Sequence, residues 1–241
     1  MKLIVAGGTG YVATEVIRQS LRRPEITSVV ALARKATAVP ANLEPGSDAA
    51  KLSSVVVPAY DQYPETVRKA LAGADACIWT VAITPSKSAS FPFEEVKRVC
   101  QTSTLAGLRA IHAAGSQKPL RFVYMSGIAA ERDQTKTPQF KPEYSLMRGE
   151  TENQVLTYAA EHKGEVEALI VKPGLITSNR VLRDWVLAPV LGMTAGVPSI
   201  PLGVLSTVML DQAVLGFTAD TLLNDDMVKL NKEGAATNAK T

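Results

Sequence analysis

The stretch "LIVAGGTGYVA", Leu3 to Ala13, decides how the chain folds. It opens on an unbroken apolar run, as a strand buried on both faces does. Gly7, Gly10 and Ala13 then recur at every third position, where strand gives way to helix. Gly7 permits the tight turn between the two elements, and Gly10 lets a pyrophosphate approach the backbone. Ala13 lets helix and strand pack closely. Free N–H groups at the start of the helix, reinforced by its dipole, suit a phosphate. A glycine triplet in this context points to a dinucleotide.

Outward from this stretch the pattern repeats. Apolar runs predict strands over Lys2–Ala6, Ser28–Ala33, Val55–Val57, Ala76–Ala82, Arg121–Ser126 ("RFVYMS") and Glu167–Gly174 at the end of "EALIVKPG". Amphipathic stretches predict helices to about Arg23, over Glu65–Ala72, from about Phe93 to Ala114 and from about Tyr144 to His162. Strand and helix in alternation, with strands apolar on both faces, read as an α/β chain: a doubly wound parallel sheet covered by helices. Residues 1–223 form one domain in this reading, with a cofactor core over about 1–176. A small, irregular C-terminal substrate cap covers 177–223, and 224–241 is a polar tail expected to be mostly disordered. Thr84 to Pro92 reads as a loop.

Composition narrows the function classes. The 241 residues are 46% hydrophobic and 20% charged, enough apolar content for a sizeable core without staples. Lys and Arg number 26 against 23 Asp and Glu, a formal charge of only +3. No basic cluster interleaved with aromatics appears, so nucleic acid is not an expected partner. Cys77 and Cys100 fit a reducing, cytoplasmic setting, and the two histidines, His112 and His162, lie too far apart in sequence to suggest a metal site. The uncharged run from Trp185 to Leu210 raises a membrane span, but Pro189, Pro198 and Pro201 with Gly192, Gly196 and Gly203 break it. The opening "MKLIVAGGTG" does not read as a signal peptide. Neither histidine is assigned a chemical role. Phe91, Phe93, Trp185 and Met193 are candidate lining for an apolar substrate pocket.

The end of the second strand chooses between dinucleotides. An acidic residue there would bond the adenosine ribose hydroxyls of NAD. This chain has "ALARK", Ala31 to Lys35, so Arg34 and Lys35 stand where a 2′-phosphate would lie, and Arg34 can stack on adenine. NADP(H) is the expected cofactor. Asp61, after the third strand, is a candidate for the adenine amino group or an ordinary turn residue.

Ser126 ends the fifth strand, where α/β folds place their ligands. In "YSLMRGETE", Tyr144 and Arg148 share one helical face. A tyrosine titrates near pH 10, and a neighbouring cation favours its phenolate. Ser126 as a donor to a carbonyl, Tyr144 as the proton carrier and Arg148 as the cation beneath are the expected catalytic set.

"GGTGYVA", Ser126 closing "FVYMSG", Tyr144 four before a cation and "KPG" (Lys172 to Gly174) together resemble the short-chain dehydrogenase/reductase superfamily. Within it the chain is similar to the atypical branch, to Tat-interacting-oxidoreductase-like and NmrA-like proteins. "GETE" after Arg148 and the late "VLSTVMLDQAVLG" carry the likeness to the former. The resemblance covers about residues 1–220. It implies a Rossmann-type sheet, NADP(H), and carbonyl/alcohol oxidoreduction on a small apolar molecule, by a monomer or homodimer. It implies that Gly8, Thr9, Tyr11 and Val12 line the pyrophosphate turn, and that Pro173, Gly174 and Ile176 meet the nicotinamide end. The family has Lys where this chain has Arg148, which keeps the charge but not the ammonium geometry. No asparagine matching the superfamily's helix asparagine occurs between Phe93 and Ala114. Two alternatives follow: a non-catalytic NADP(H)-binding regulator, or an isomerase or lyase on the same fold.

Overall fold

A computed structural model describes residues 1–116, 118–177 and 196–238. Strand β1 (Lys2–Ala6) sets its frame. Leu3 and Val5 enter one face of the sheet and Ile4 and Ala6 the other, because side chains alternate along a strand; all four are fully buried. The same division runs through β2 (Ser28–Ala33), β3 (Leu52–Val56), β4 (Ala76–Trp79), β5 (Leu120–Met125) and β6 (Val166–Lys172). With β9 (Thr221–Leu223) they form a seven-stranded parallel sheet, in the order β3-β2-β1-β4-β5-β6-β9.

Helices cover both faces. On the face of Leu3 and Val5 lie α1 (Tyr11–Ser20) and α7 (Leu202–Leu215), which contribute Val16, Ile17, Leu205 and Met209. On the other lie α2 (Glu65–Leu71), α5 (Ser103–Ala113) and α6 (Pro142–Glu161), with Leu71, Leu108 and Val155 around fully buried Trp79 and Phe122. The doubly wound α/β sheet read from the sequence is therefore present. The chain builds outward from β1 to β3, then returns to β4 on the far side of β1. Ligands of open α/β sheets sit at such a switch point, beyond the carboxyl ends of the strands.

Several details differ from the sequence reading. Strand β3 starts earlier than Val55, and β4 stops at Trp79, three residues short of Ala82. The segment expected as one helix from Phe93 to Ala114 is α4 (Phe93–Lys97), a π turn over Arg98–Thr102, then α5. The Thr84–Pro92 loop contains a single helical turn, α3 (Pro85–Ser88).

Residues 178–195 of the expected cap lie outside the described residues, and the described part of it is largely regular. Where an irregular cap was expected, β8 (Ser199–Pro201) pairs with β7 (Leu175–Thr177). Helix α7 lies against α1, with Gln19 donating to the Gly203 carbonyl at 3.1 Å, Thr207 donating to Gln19 at 2.9 Å, and Arg23 paired with Asp211 at 2.6 Å. A helix apolar on most sides is a core helix, and this one fills a sheet face instead of roofing the sheet's edge. The tail expected to be disordered is α8 (Asn224–Asn238). Its composition is polar, yet Met227 is fully buried and Asp225 and Asp226 suit the positive end of the helix dipole. Trp185 and Met193 lie outside the described residues, as does the first part of the uncharged run. No described helix is long and apolar enough to cross a membrane.

Candidate dinucleotide and catalytic site

The turn after β1 is built as its glycines require. Gly7 has φ +90°, a left-handed conformation open to glycine. Its N–H and that of Gly8 both donate to the Leu32 carbonyl, at 2.9 and 3.1 Å, and Gly10 N–H donates to Gly7 at 2.6 Å. A Cβ on Gly7 would stand 2.6 Å from Thr80 Oγ1 at the end of β4, which shows how close the switch-point strands come. Helix α1 follows with no side-chain cap at its start, leaving its first N–H groups for an anion. Thr9, Gly10 and Tyr11 are exposed there, while Val12 and Ala13 are buried against the sheet. A free helix start beside a backbone cradle fits a pyrophosphate.

At the end of β2, Arg34 and Lys35 are exposed, and neither makes an ion pair or side-chain hydrogen bond among the described residues. Tyr60 stands near Arg34; burial pushes its hydroxyl pKa up, against the opposing pull of Arg34 and of the Gly7 and Arg34 backbone. Thr37 escaped the sequence reading. Its hydroxyl is buried without a hydrogen-bond partner among the described residues and lies 2.8 Å from where a Gly8 Cβ would be. An orphaned donor beside two free cations fits a polar adenosine end. Asp61 is half committed: Arg98, from the π turn, holds its Oδ2 at 2.9 Å, while its Oδ1 is buried with no hydrogen-bond partner among the described residues.

Helix α6 brings Tyr144 and Arg148 to the carboxyl edge of β5, both largely buried. Tyr144 donates to the Ile83 carbonyl at 3.0 Å. Arg148 donates to the Met125 carbonyl at 2.8 Å and lies over the Tyr124 ring at 5.2 Å, and its Nε has no hydrogen-bond partner among the described residues. Among the described residues no carboxylate is within ion-pair distance of it. Burial is the largest single influence and works against its charge, but Tyr124, Tyr144, Cys100 and Glu152 together outweigh it, and the Arg148 pKa stays above the ordinary arginine value. The expected lowering of the Tyr144 pKa does not result. Burial raises it, and the opposing pull of Arg148 is the smaller effect. Tyr144 is thus an acid that keeps its proton at neutral pH. Cys100, at the centre of the π turn, packs fully buried against Tyr144, its sulfur accepting the Ile83 N–H at 3.3 Å.

Ser126 is where the sequence places it, at the end of β5, but its partner differs from the expectation. Its hydroxyl donates to Glu152, a fully buried carboxylate two turns along α6 from Tyr144. Glu152 also accepts from Arg132 at 2.7 Å and Lys172 at 3.0 Å. Arg132 reaches Thr221 of β9 at 2.8 Å, and Lys172 the Ala130 carbonyl at 2.8 Å. None of Glu152, Arg132 or Lys172 was assigned a role from sequence, although "GETE" and "KPG" contain the first and the last.

The "KPG" turn is held from outside the expected core. Asn224, opening α8, accepts the Gly174 N–H at 3.1 Å, and a Cβ on Gly174 would meet the Pro198 carbonyl at 2.0 Å. Pro173 accepts from Ile128 N–H at 3.1 Å, and Ile176 pairs with Ile200 across β7 and β8. These residues border the same carboxyl edge. His112 and His162 meet each other far from it, with Tyr158 hydrogen-bonded to His112 at 2.8 Å.

Known proteins agree with this architecture. A short-chain type dehydrogenase/reductase from Mycobacterium ulcerans superposes with TM-score 0.68 at 13% identity, covering 94% of this chain and 90% of that one. Vestitone reductase from alfalfa gives 0.66 at 17% identity, covering 92% and 76%. The dTDP-glucose 4,6-dehydratase DesIV from Streptomyces venezuelae, solved with NAD bound, gives 0.68 at 16%, covering 98% and 81%. At these identities the likeness is one of fold. No curated protein matches the sequence. A family model described as NAD(P)H-binding matches residues 7–192, so the chain with this uncapped glycine turn belongs to the NAD(P)H-binding family.

Proposed function

We propose that the protein is an NADP(H)-dependent oxidoreductase of the atypical short-chain dehydrogenase/reductase type, acting on a carbonyl/alcohol group of a small apolar molecule. The observation that carries this reading is Tyr144 buried beside Arg148 on α6, at the same sheet edge as the glycine cradle. Gly7, Gly8, Thr9, Gly10, Tyr11 and Val12 would hold the pyrophosphate. Arg34 and Lys35, which form no ion pair among the described residues, would meet the 2′-phosphate, and Pro173, Gly174 and Ile176 the nicotinamide end. The cofactor, when bound, supplies or takes the hydride.

Tyr144 holds the proton at its phenolic oxygen and exchanges the Ile83 carbonyl for the substrate oxygen when it delivers it. Arg148 opposes the effect of burial, keeping the phenol from becoming too weak an acid. Phe91, Ile128 and Phe140 are exposed on the segments that follow β4 and β5, and Phe93 is exposed at the start of α4. Apolar side chains gathered there suit an apolar substrate.

Fluorescence titration tests the cofactor: NADPH should bind at least tenfold more tightly than NADH, and Arg34→Asp should reverse the order. Equal affinities would remove the role of Arg34. Tyr144→Phe should abolish turnover and leave NADPH affinity intact. A regulator that only binds NADP(H) would be indifferent to that change, and an isomerase would form product without consuming NADPH absorbance.

A further inference from the structure

The buried carboxylate of Glu152 lies outside the proposed proton path, yet it governs a residue of the site. Its flanking cations, Arg132 and Lys172, each donate to it. An ionised carboxylate only accepts hydrogen bonds, so the proton between Ser126 and Glu152 belongs to Ser126. A serine has one proton to give. Once Glu152 holds it, Ser126 offers a ligand only lone pairs.

Tyr144 is in a different position. It donates to a neutral carbonyl, that of Ile83. A bond to a carboxylate is roughly twice as strong as one between neutral groups. Tyr144 can therefore release its partner for a substrate oxygen more readily than Ser126 can. The two hydroxyls at the edge of β5 and α6 divide their work: Tyr144 gives a proton, Ser126 accepts a hydrogen bond.

We infer that Glu152 is a positioning residue that fixes Ser126 as a hydrogen-bond acceptor, so that the site holds the alcohol form of its substrate more tightly than the carbonyl form. A hydroxyl can donate to Ser126; a carbonyl or ether oxygen cannot. The inference rests on the oxidoreductase reading above and reverses the expected role of Ser126 as a donor. The network also ties this preference to the cofactor side, because Lys172 directly precedes the Pro173–Gly174 turn.

The test uses a matched pair of unreactive probes on the full-length protein saturated with NADPH. 1-Methylcyclohexanol has a hydroxyl on a carbon without hydrogen, so it cannot be oxidised there. Its methyl ether, 1-methoxy-1-methylcyclohexane, has nearly the same shape and no donor. Ligand-observed NMR titration should show the alcohol binding about threefold to tenfold more tightly, the span of one ordinary hydrogen bond. Ser126→Ala should bring the ratio to about one with the Glu152 ion pairs intact, and Ser126→Thr should restore it. Glu152→Gln should also lower the ratio, since the carboxamide can donate to Ser126 and free its proton. If Glu152→Gln does not fold, the two Ser126 variants decide. Equal binding of the two probes, or a ratio that survives Ser126→Ala, overturns the inference while leaving NADPH binding untouched. Absence of NADPH binding in the preceding titration overturns the oxidoreductase reading and this inference together.

Discussion

Single residues set how closely the site's parts approach. Gly7 is the sharpest case, because its φ of +90° and the nearness of Thr80 both exclude a side chain. Gly7→Ala should cost about 1–2 kcal/mol for the left-handed backbone alone, read as a lower urea midpoint, and should weaken NADPH binding by displacing the cradle. Arg148 poses the opposite question, that of a buried cation with one carbonyl, an aromatic face and no carboxylate within ion-pair distance among the described residues. Replacing a buried charge that has no ion-pair partner with an apolar side chain of similar volume is often neutral for stability. Arg148→Leu should therefore remain folded while removing the one strong pull that lowers the Tyr144 pKa. The Tyr144 pKa then moves further up, so the alkaline limb of turnover with NADPH should shift to higher pH and the rate near neutrality should fall. An unchanged pH profile would mean that Arg148 does not act on Tyr144.

Elements, more than residues, separate what the sequence shows from what it hides. The strands and the glycine turn are legible because a parallel strand covered on both faces must be continuously apolar, as in "LIVA" and "ACIW". Arg34, Lys35 and Ser126 are legible because each follows the end of such a strand, and Tyr144 and Arg148 because their four-residue spacing puts them on one face of α6. The partners of these residues are not. Whether Ser126 meets a substrate or Glu152 depends on a contact between residues 26 positions apart, and no local pattern encodes it. The π turn is hidden because "RVCQT" has ordinary helical composition. Helix α8 is hidden because its polar residues conceal a narrow buried stripe. That stripe gives a direct test. Met227→Ala should cost about 2–5 kcal/mol, as for other large core side chains, whereas a disordered tail would tolerate the change. Asn224→Ala should leave stability closer to wild type and loosen the Gly174 turn, seen as weaker NADPH binding. A urea midpoint unmoved by Met227→Ala would detach α8 from the core.

At the scale of the whole molecule, the two-faced sheet makes one global demand, that its buried phenols stay protonated. Tyr60, Tyr63, Tyr124, Tyr144 and Tyr158 all have pKa values raised above 10, in each case chiefly by burial. Tyr63 and Tyr124 are shifted furthest. Below about pH 10 folded and unfolded chains both hold these protons, and stability does not depend on them. Above it the unfolded chain releases them and the folded chain does not, so the native state binds more protons and stability falls as pH rises. Each tyrosine kept protonated contributes a slope of about 1.4 kcal/mol per pH unit. Two such groups remove about 5 kcal/mol by pH 12, comparable with the whole stability of many domains. The urea midpoint should accordingly be flat from pH 7.5 to 9.5 and fall steeply above pH 10. Tyr124 isolates the cause, because its hydroxyl is buried without a hydrogen-bond partner among the described residues while its ring supports Arg148. Tyr124→Phe keeps the ring and deletes the orphaned hydroxyl, so its midpoint at pH 8 should equal or exceed that of the wild type. At pH 11 the variant should lose less stability than the wild type, by about the share of one tyrosine. Parallel declines of the two proteins would show that the buried Tyr124 phenol is not what the alkaline transition reports.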